Sequence, residues 1–131
     1  MKLAVGMGCD RNVSLETLET ALDQALASIT AIRADIVCFA SIDKKNDEVA
    51  LLNLAKNEKK PLQFFTADEL KQVPVPNPSE TVKKYMGTPA VSEAAALLAA
   101  KTDQQHLLVE KYKYLGSDGK NATVSIARIA T

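Results

Sequence analysis

Residues 2–8 read Lys-Leu-Ala-Val-Gly-Met-Gly, a weakly alternating apolar run that ends in glycine. A buried strand that feeds a tight turn has this pattern. Ser14 then stands at the N-cap position before residues 15–30, where leucine and alanine recur at the three-and-four spacing of one buried helical face. A strand followed at once by an amphipathic helix predicts the first unit of an α/β fold.

The same order recurs twice along the chain. Residues 36–40 form an apolar run of strand length, and the pattern predicts a helix over 47–59. Residues 61–65 are a third strand candidate, and Thr66 with Glu69 has the spacing of a capping box on a short third helix. Three successive strand-to-helix units predict a mostly parallel sheet with right-handed crossovers.

The second half of the chain predicts a stiff connection, two helices and a hairpin. Alternating prolines in residues 73–78 impose an extended path. Helices are predicted over about 79–86 and over 91–100, the second of them rich in alanine. Residues 106–114 and 122–129 flank a glycine-containing turn, which indicates a β-hairpin.

Length and composition narrow the class of protein. The 131 residues are the usual size of one domain, so we expect residues 1–131 to form a single α/β domain. Its expected architecture is a three-layer α/β/α sandwich with a mixed, mostly parallel sheet ending in an antiparallel hairpin. Sixteen basic residues balance sixteen acidic ones, which excludes a uniformly positive field and argues against nucleic acid or a membrane as partner. The start of the chain lacks a signal-peptide pattern and no stretch approaches the ~18 apolar residues of a membrane span, so a cytoplasmic location is expected.

Cysteine and histidine are too sparse for a metal site or a catalytic triad. Cys9 and Cys38 form no Cys-x-x-Cys pair, and the single histidine, His106, lies 97 positions after Cys9. We therefore predict no catalytic residue, no metal and no cofactor. Cys9 is interpreted as a turn-packing residue, with a thiolate nucleophile as the alternative. Activation of water by Asp43 or Glu48 also stays open.

Glycines and polar residues follow the first three predicted strands. Ligands of doubly wound sheets collect beyond the carboxyl ends of the strands, so these residues are expected to border one crevice. The alternative is that the glycines only make a turn and that the polar residues only shape the approach to a helix. The candidate binding residues here are Gly6, Gly8, Cys9, Arg11, Ser41, Asp43, Lys45 and Thr66.

A set of short stretches, in this order, resembles the family of CobE and the C-terminal domain of CbiG, which belongs to cobalamin biosynthesis. Each stretch alone is weak, whereas the ordered set is specific and covers essentially the whole chain. One departure is that Asp10 follows Cys9, where the family commonly has a basic residue, and Arg11 comes one position later. The matching stretches are VGMGC at 5–9, ASIDKKNDE at 40–48, FFTADEL at 64–70, VPVPNPSE at 73–80, VSEAAA at 91–96, and the strands carrying Lys111 and TVSIAR at 123–128.

The resemblance implies a role in corrin-ring assembly, with a precorrin or cobalt-precorrin tetrapyrrole as the ligand. Such intermediates carry acetate and propionate arms, which cations like Arg11, Lys45 and Lys111 would meet. The alternative is that these cations are only a solvated rim. Asn77, presented by the proline-rich segment, is a further candidate for ligand contact.

Two functions stay open. In the first, the protein binds the intermediate and passes it between corrin-pathway enzymes. In the second, it is a hydrolase, or the C-terminal subunit of one, because the larger CbiG proteins open a lactone ring on a cobalt-precorrin. The sequence favours binding, since one histidine and two cysteines do not make a triad.

Overall fold

The computed structural model describes residues 1–75 and 91–129. Within them a five-stranded sheet has the order β3-β2-β1-β5-β4. β1, β2 and β3 are parallel neighbours, β5 is antiparallel to β1, and β4 is antiparallel to β5. Four strands therefore point one way and β5 alone is reversed, which confirms the mixed, mostly parallel sheet ending in a hairpin. The strands are β1 (Leu3–Cys9), β2 (Ile36–Ile42), β3 (Leu62–Phe65), β4 (Leu107–Leu115) and β5 (Asn121–Arg128).

Helices cover both faces of this sheet, which confirms the three-layer prediction. α1 and α2 pack on one face, and α3 and α4 pack on the other. In the described ranges none of the helices is both long enough and apolar enough to cross a membrane. The predicted helix over 79–86 and the candidate residue Asn77 lie outside the described residues. The helices are α1 (Leu15–Ser28), α2 (Val49–Glu58), α3 (Ala67–Lys71) and α4 (Val91–Ala100).

Two helix starts follow the predicted side-chain caps. The Ser14 hydroxyl accepts a hydrogen bond from the Thr17 amide at 3.1 Å, which satisfies one of the unpaired donors at the start of α1. At α3 the Thr66 hydroxyl accepts from the Glu69 amide at 3.1 Å, and the Glu69 carboxylate accepts from the Thr66 amide at 2.9 Å. The capping box predicted from the sequence is confirmed.

The two faces of the sheet are packed differently. Toward α1 and α2, the central strands present large side chains such as Val5, Met7 and Phe39, all without exposed surface. Toward α4, β1 presents Ala4 and Gly6. A Cβ atom on Gly6 would lie 2.0 Å from the Ser92 carbonyl oxygen and 2.7 Å from the Ala96 amide nitrogen. The backbone of α4 therefore rests directly on β1, which only glycine permits.

The turn between β4 and β5 is fastened to the start of α1. A Cβ atom on Gly116 would lie 2.0 Å from Thr17 Oγ1, so the turn approaches the helix too closely for a side chain. The Asp118 carboxylate accepts from the Ser14 amide at 2.8 Å and from the Thr17 hydroxyl at 2.9 Å. These bonds, with one from the Lys120 amide, lower the pKa of Asp118 to about 2.

Candidate ligand-binding site

The carboxyl ends of β1 to β4 and the amino end of β5 meet at one edge of the sheet. Gly8 and Cys9 lie at the end of β1, Asp43 follows β2, and Thr66 follows β3. The parallel order of these strands brings the four residues to the same edge, where α/β sheets bind ligands. Lys45 lies on the short 3-10 turn that starts at Asp43.

Cys9 ends β1 with its side chain against the α1 layer. Burial raises the pKa of its thiol to about 11, and the nearby Lys45 ammonium opposes that rise only in part. The thiol is therefore protonated at neutral pH and is a poor nucleophile. Burial also raises the pKa of Cys38, which lies inside β2.

Arg11 joins the loop after β1 to the loop after β2. Its guanidinium donates to Asp47 Oδ1 at 2.6 Å and to Glu48 Oε2 at 3.2 Å, and it also donates to the Lys44 carbonyl oxygen. The hydrogen bond with Asp47 raises the pKa of Arg11 and lowers the pKa of Asp47. Arg11 is thus engaged within the protein, and its contact with the ligand stays a prediction.

Glu48 completes this cluster from the start of α2. It is only 4% exposed, and besides Arg11 it accepts a hydrogen bond from the Asn12 amide at 2.9 Å. A depression of about 510 Å³ lies beside the cluster and extends along α2 to Asn53. Because Arg11 and Asn12 already occupy the Glu48 carboxylate, Glu48 is poorly placed to activate water. The half-buried Asp43 is the more accessible of the two acids considered for that role.

Asp10 accounts for the departure from the family pattern after Cys9. Its carboxylate accepts from the Asn121 amide at 2.8 Å and from Asn121 Nδ2 at 3.1 Å. The residue directly after the cysteine therefore ties β1 to the start of β5. The cation one position later, Arg11, turns instead toward the loop that follows β2.

Three further candidates take part in packing or capping. The buried Ser41 hydroxyl donates to the Met7 carbonyl oxygen at 2.7 Å and so links β2 to β1. Gly6 lies under α4, and the Thr66 hydroxyl caps α3. The structure places Gly6 and Ser41 within the sheet and on its opposite faces, and ligand contact by these residues stays a prediction.

A second polar cluster lies on the α4 face of the sheet. The hydroxyls of Ser92 and Ser125 are 2.8 Å apart, and the Ser125 hydroxyl also donates to the Glu110 carbonyl oxygen. The next residue of α4, Glu93, has no exposed surface, and among the described residues neither of its carboxylate oxygens finds a hydrogen-bond partner. Lys111 Nζ lies 3.6 Å from Glu93 Oε1, and the Lys111 side chain is still 19% exposed.

Glu93 is a buried acid at this candidate site, and it is not among the candidate residues predicted from the sequence. Burial raises the pKa of its carboxyl, the Lys111 ammonium opposes that rise, and Glu110 adds to it. The sequence does indicate that Glu93 is buried, because it is the single charged residue in the helix VSEAAALLAA, which otherwise has one serine and apolar residues. A helix that is apolar on nearly every side is buried, so an acid within it is a buried charge.

Beside this cluster the sheet offers a surface with few projecting atoms. Among the residues that the structure describes, a Cβ atom on Gly8 would meet only Thr123 Cβ, at the ordinary contact distance of 3.9 Å, so these residues leave a flat strip at Gly8. Thr123 pairs with Lys113 of β4. Lys111 and Lys113 alternate with tyrosines that pack toward α1, so both lysines project to the α4 face.

Within residues 1–75 and 91–129, no three His, Cys, Asp or Glu side chains are close enough to hold a metal ion together. The fold and this edge define an α/β domain with a polar, lysine-bearing surface where the parallel strands end.

Comparison with known proteins identifies the family. Residues 3–127 match the family described as Cobalamin synthesis G C-terminus. The protein CobE of Sinorhizobium sp is 32% identical over an alignment of 131 positions, which covers 98% of this chain and 81% of that protein. The chain therefore belongs to the CobE and CbiG C-terminal family of cobalamin biosynthesis, and the resemblance found in the sequence is confirmed.

Other relatives are longer than this chain. A cobalt-precorrin-5A hydrolase of Priestia megaterium is 33% identical over 127 residues, which are 97% of this chain and 32% of the relative. The chain thus spans about a third of that relative's length.

Solved structures share the fold. A crystal structure of CobE, a protein from the cobalamin biosynthetic pathway, has a TM-score of 0.82 and 30% identity over 99% of this chain and 92% of that chain. The cobalamin biosynthesis protein chiG of Agrobacterium tumefaciens has a TM-score of 0.68 at 22% identity, over 98% of this chain and 99% of that chain, and supports the fold alone.

Proposed function

We propose that this protein binds a precorrin or cobalt-precorrin intermediate during assembly of the corrin ring. The observation that carries the proposal is the surface at the carboxyl edge, where Lys111 and Lys113 stand beside the flat strip at Gly8 and Thr123. Membership of a cobalamin-synthesis family supports a tetrapyrrole as the ligand class.

The chemistry of this surface suits such a ligand. A tetrapyrrole is broad and carries anionic arms at its rim. It therefore requires two features of a binding surface: a flat centre from which no side chain projects, and cations placed around that centre. Gly8 provides the first, and Lys45, Lys111 and Lys113 provide the second. Arg11 contributes less in this proposal because Asp47 and Glu48 already hold its guanidinium.

The test is a spectroscopic titration with cobyrinic acid, a corrin whose arms end in free carboxylates. We expect the affinity to fall as salt rises, because charge pairs are screened beyond about 8 Å at physiological ionic strength. Lys111→Gln and Lys113→Gln should each weaken binding about fivefold, since a partly exposed pair is worth up to about 1 kcal/mol.

The matched controls are Lys59→Gln and Lys101→Gln. Both lysines follow the C-terminal ends of helices, α2 and α4, at the opposite edge of the sheet. They should leave the affinity unchanged. Equal losses at the edge and control lysines, equal binding of an amidated corrin, or no salt dependence would contradict the proposal.

A second candidate function is a part of cobalt-precorrin-5A hydrolysis. Two relatives with that name, from Priestia megaterium and Methanocaldococcus jannaschii, support it, although the chain spans only 32% and 41% of their lengths. In this reading the half-buried Asp43 activates water, because the Cys9 thiol is protonated and Glu48 is held by Arg11.

Incubation with cobalt-precorrin-5A separates the two functions. Opening of the lactone with release of a two-carbon fragment, abolished by Asp43→Asn, would establish the hydrolase. Binding of the same compound without turnover would support the binding function, in which other corrin-pathway enzymes receive the intermediate.

A further inference from the structure

The Glu93–Lys111 pair differs from an ordinary surface ion pair. The carboxylate has no exposed surface, and within residues 1–75 and 91–129 neither of its oxygens has a hydrogen bond, while the Lys111 side chain is 19% exposed. The separation of 3.6 Å between Nζ and Oε1 exceeds the 2.7–2.9 Å of a charge-assisted hydrogen bond. Glu93 is therefore a buried acid whose negative charge is only weakly compensated.

We propose that a carboxylate arm of the ligand takes over the Lys111 ammonium from Glu93, and that the Glu93 carboxyl takes up one proton as the arm binds. This inference rests on the proposed binding function. One O–H bond forms on a Glu93 oxygen, and its proton comes from the solvent. The arm stays ionised, and the Lys111 ammonium only changes its partner.

The physical reason is that one ammonium does not compensate two carboxylates in a buried site. An ionised arm near Lys111 adds a second negative charge beside Glu93. Two carboxylates that are close together and poorly solvated repel each other, so one of them is favoured in its neutral form. The arm keeps its charge because it approaches from the exposed side, whereas Glu93 has no contact with water. Glu93 is thus the group that becomes neutral.

The surroundings of Glu93 support this assignment. The charged groups that act on its carboxyl among the described residues, Lys111 and Glu110, both belong to β4. Ser92, the residue before Glu93 on α4, meets Ser125 of β5 and Gly6 of β1, and none of these three residues titrates in this range. Burial already raises the pKa of Glu93 and Lys111 restrains that rise, so diversion of Lys111 to another partner raises the pKa further.

The experiment is calorimetric titration with cobyrinic acid in buffers of different ionisation enthalpy, between about pH 6 and 8, where ordinary carboxylate arms are ionised. The dependence of the heat on the buffer gives the number of protons taken up. We expect uptake approaching one proton per ligand in the unmodified protein, with an affinity that falls up to about tenfold per pH unit as the pH rises.

Glu93→Gln should abolish both the proton uptake and this pH dependence while binding continues. The matched control is Glu16→Gln, an exposed acid in the first turn of α1, which should keep both. If Glu93→Gln does not fold, the buffer comparison on the unmodified protein decides the question by itself.

The outcomes distinguish the proton exchange at Glu93 from the proposed ligand-binding function. Binding without proton uptake at any pH, or uptake that persists in Glu93→Gln, overturns the proton exchange and leaves the binding function standing. Failure of cobyrinic acid to bind at all overturns both.

Discussion

The two faces of the sheet carry side chains of different size. The face toward α1 and α2 is filled by large apolar side chains, of which Phe39, Leu18 and Leu22 have no exposed surface. On the α4 face, the central strands present smaller residues such as Ala4, Gly6 and Ala40, and the helix backbone touches β1 at Gly6. The first face gains its stability from apolar area, the second from close backbone approach.

Buried polar groups lie on both faces, but their partners differ. The buried hydroxyls of Ser92 and Ser125 and the buried carboxylate of Glu93 lie on the α4 face, next to Lys111. On the α1 face, Arg11 and Glu48 pair with each other at the loops. The comparison indicates that on the α1 face the buried acid Glu48 is held by hydrogen bonds from Arg11 and Asn12, whereas on the α4 face the buried acid Glu93 faces Lys111 at a longer distance.

The largest expected effect is at the centre of the α1 face. Phe39→Ala removes a fully buried aromatic side chain and leaves a cavity that the rigid sheet cannot close, so we expect a loss of about 4 kcal/mol in the free energy of unfolding. Urea denaturation measures it. The control is Val37→Ala, at an exposed position two residues earlier on β2. It should lower the free energy of unfolding by less than about 1 kcal/mol. Similar losses at both positions would contradict the assignment of this face as the main core.

Gly6→Ala tests the close approach on the other face. The added Cβ would lie 2.0 Å from a backbone oxygen of α4, which cannot rotate away as a side chain can. We expect a loss of about 3 kcal/mol from overpacking, measured by the same denaturation. Gly8→Ala is the matched control on the same strand and should change stability by less than about 1 kcal/mol, because its nearest neighbour would be 3.9 Å away.

A smaller effect is expected where the β4–β5 turn meets α1. Asp118 has a pKa lowered to about 2, so it stabilises the folded state above its ordinary value of 3.8, and this contribution disappears as the pH falls from there toward 2. Asp118→Asn should therefore lower the melting temperature at pH 7. The difference from the unmodified protein should shrink below about pH 4 and be lost near pH 2.

Thermal unfolding across this pH range measures the effect. A difference between the two proteins that stays constant from pH 7 to pH 2 would show that the Asp118 charge does not fasten the turn.

The smallest expected effect is that of Cys9→Ser on ligand binding. Cys9 faces the α1 layer and its thiol, with a pKa of about 11, is neutral at pH 7. The affinity for cobyrinic acid should therefore stay within a few-fold of the unmodified value in the same spectroscopic titration. Loss of binding in this variant would indicate that the ligand binds on the α1 side of the edge, and not on the α4 side.

What the sequence by itself determined is the local structure and its order along the chain. The spacing of leucines predicted α1, Ser14 and Thr66 predicted two caps, and the repeated strand-to-helix order predicted a mostly parallel sheet. These features depend on hydrogen bonds and side-chain periods within a few residues, which are visible in the sequence. The ordered set of short stretches was also sufficient to indicate the family.

Only the tertiary structure decided which charged residues meet one another. Arg11 was expected to meet the ligand, yet its partners Asp47 and Glu48 lie 36 and 37 positions away and reach it because two loops share one edge. Glu93 and Lys111 meet in the same way, across α4 and β4. Pairing and burial at such separations depend on how elements pack, and no local pattern of residues records that arrangement.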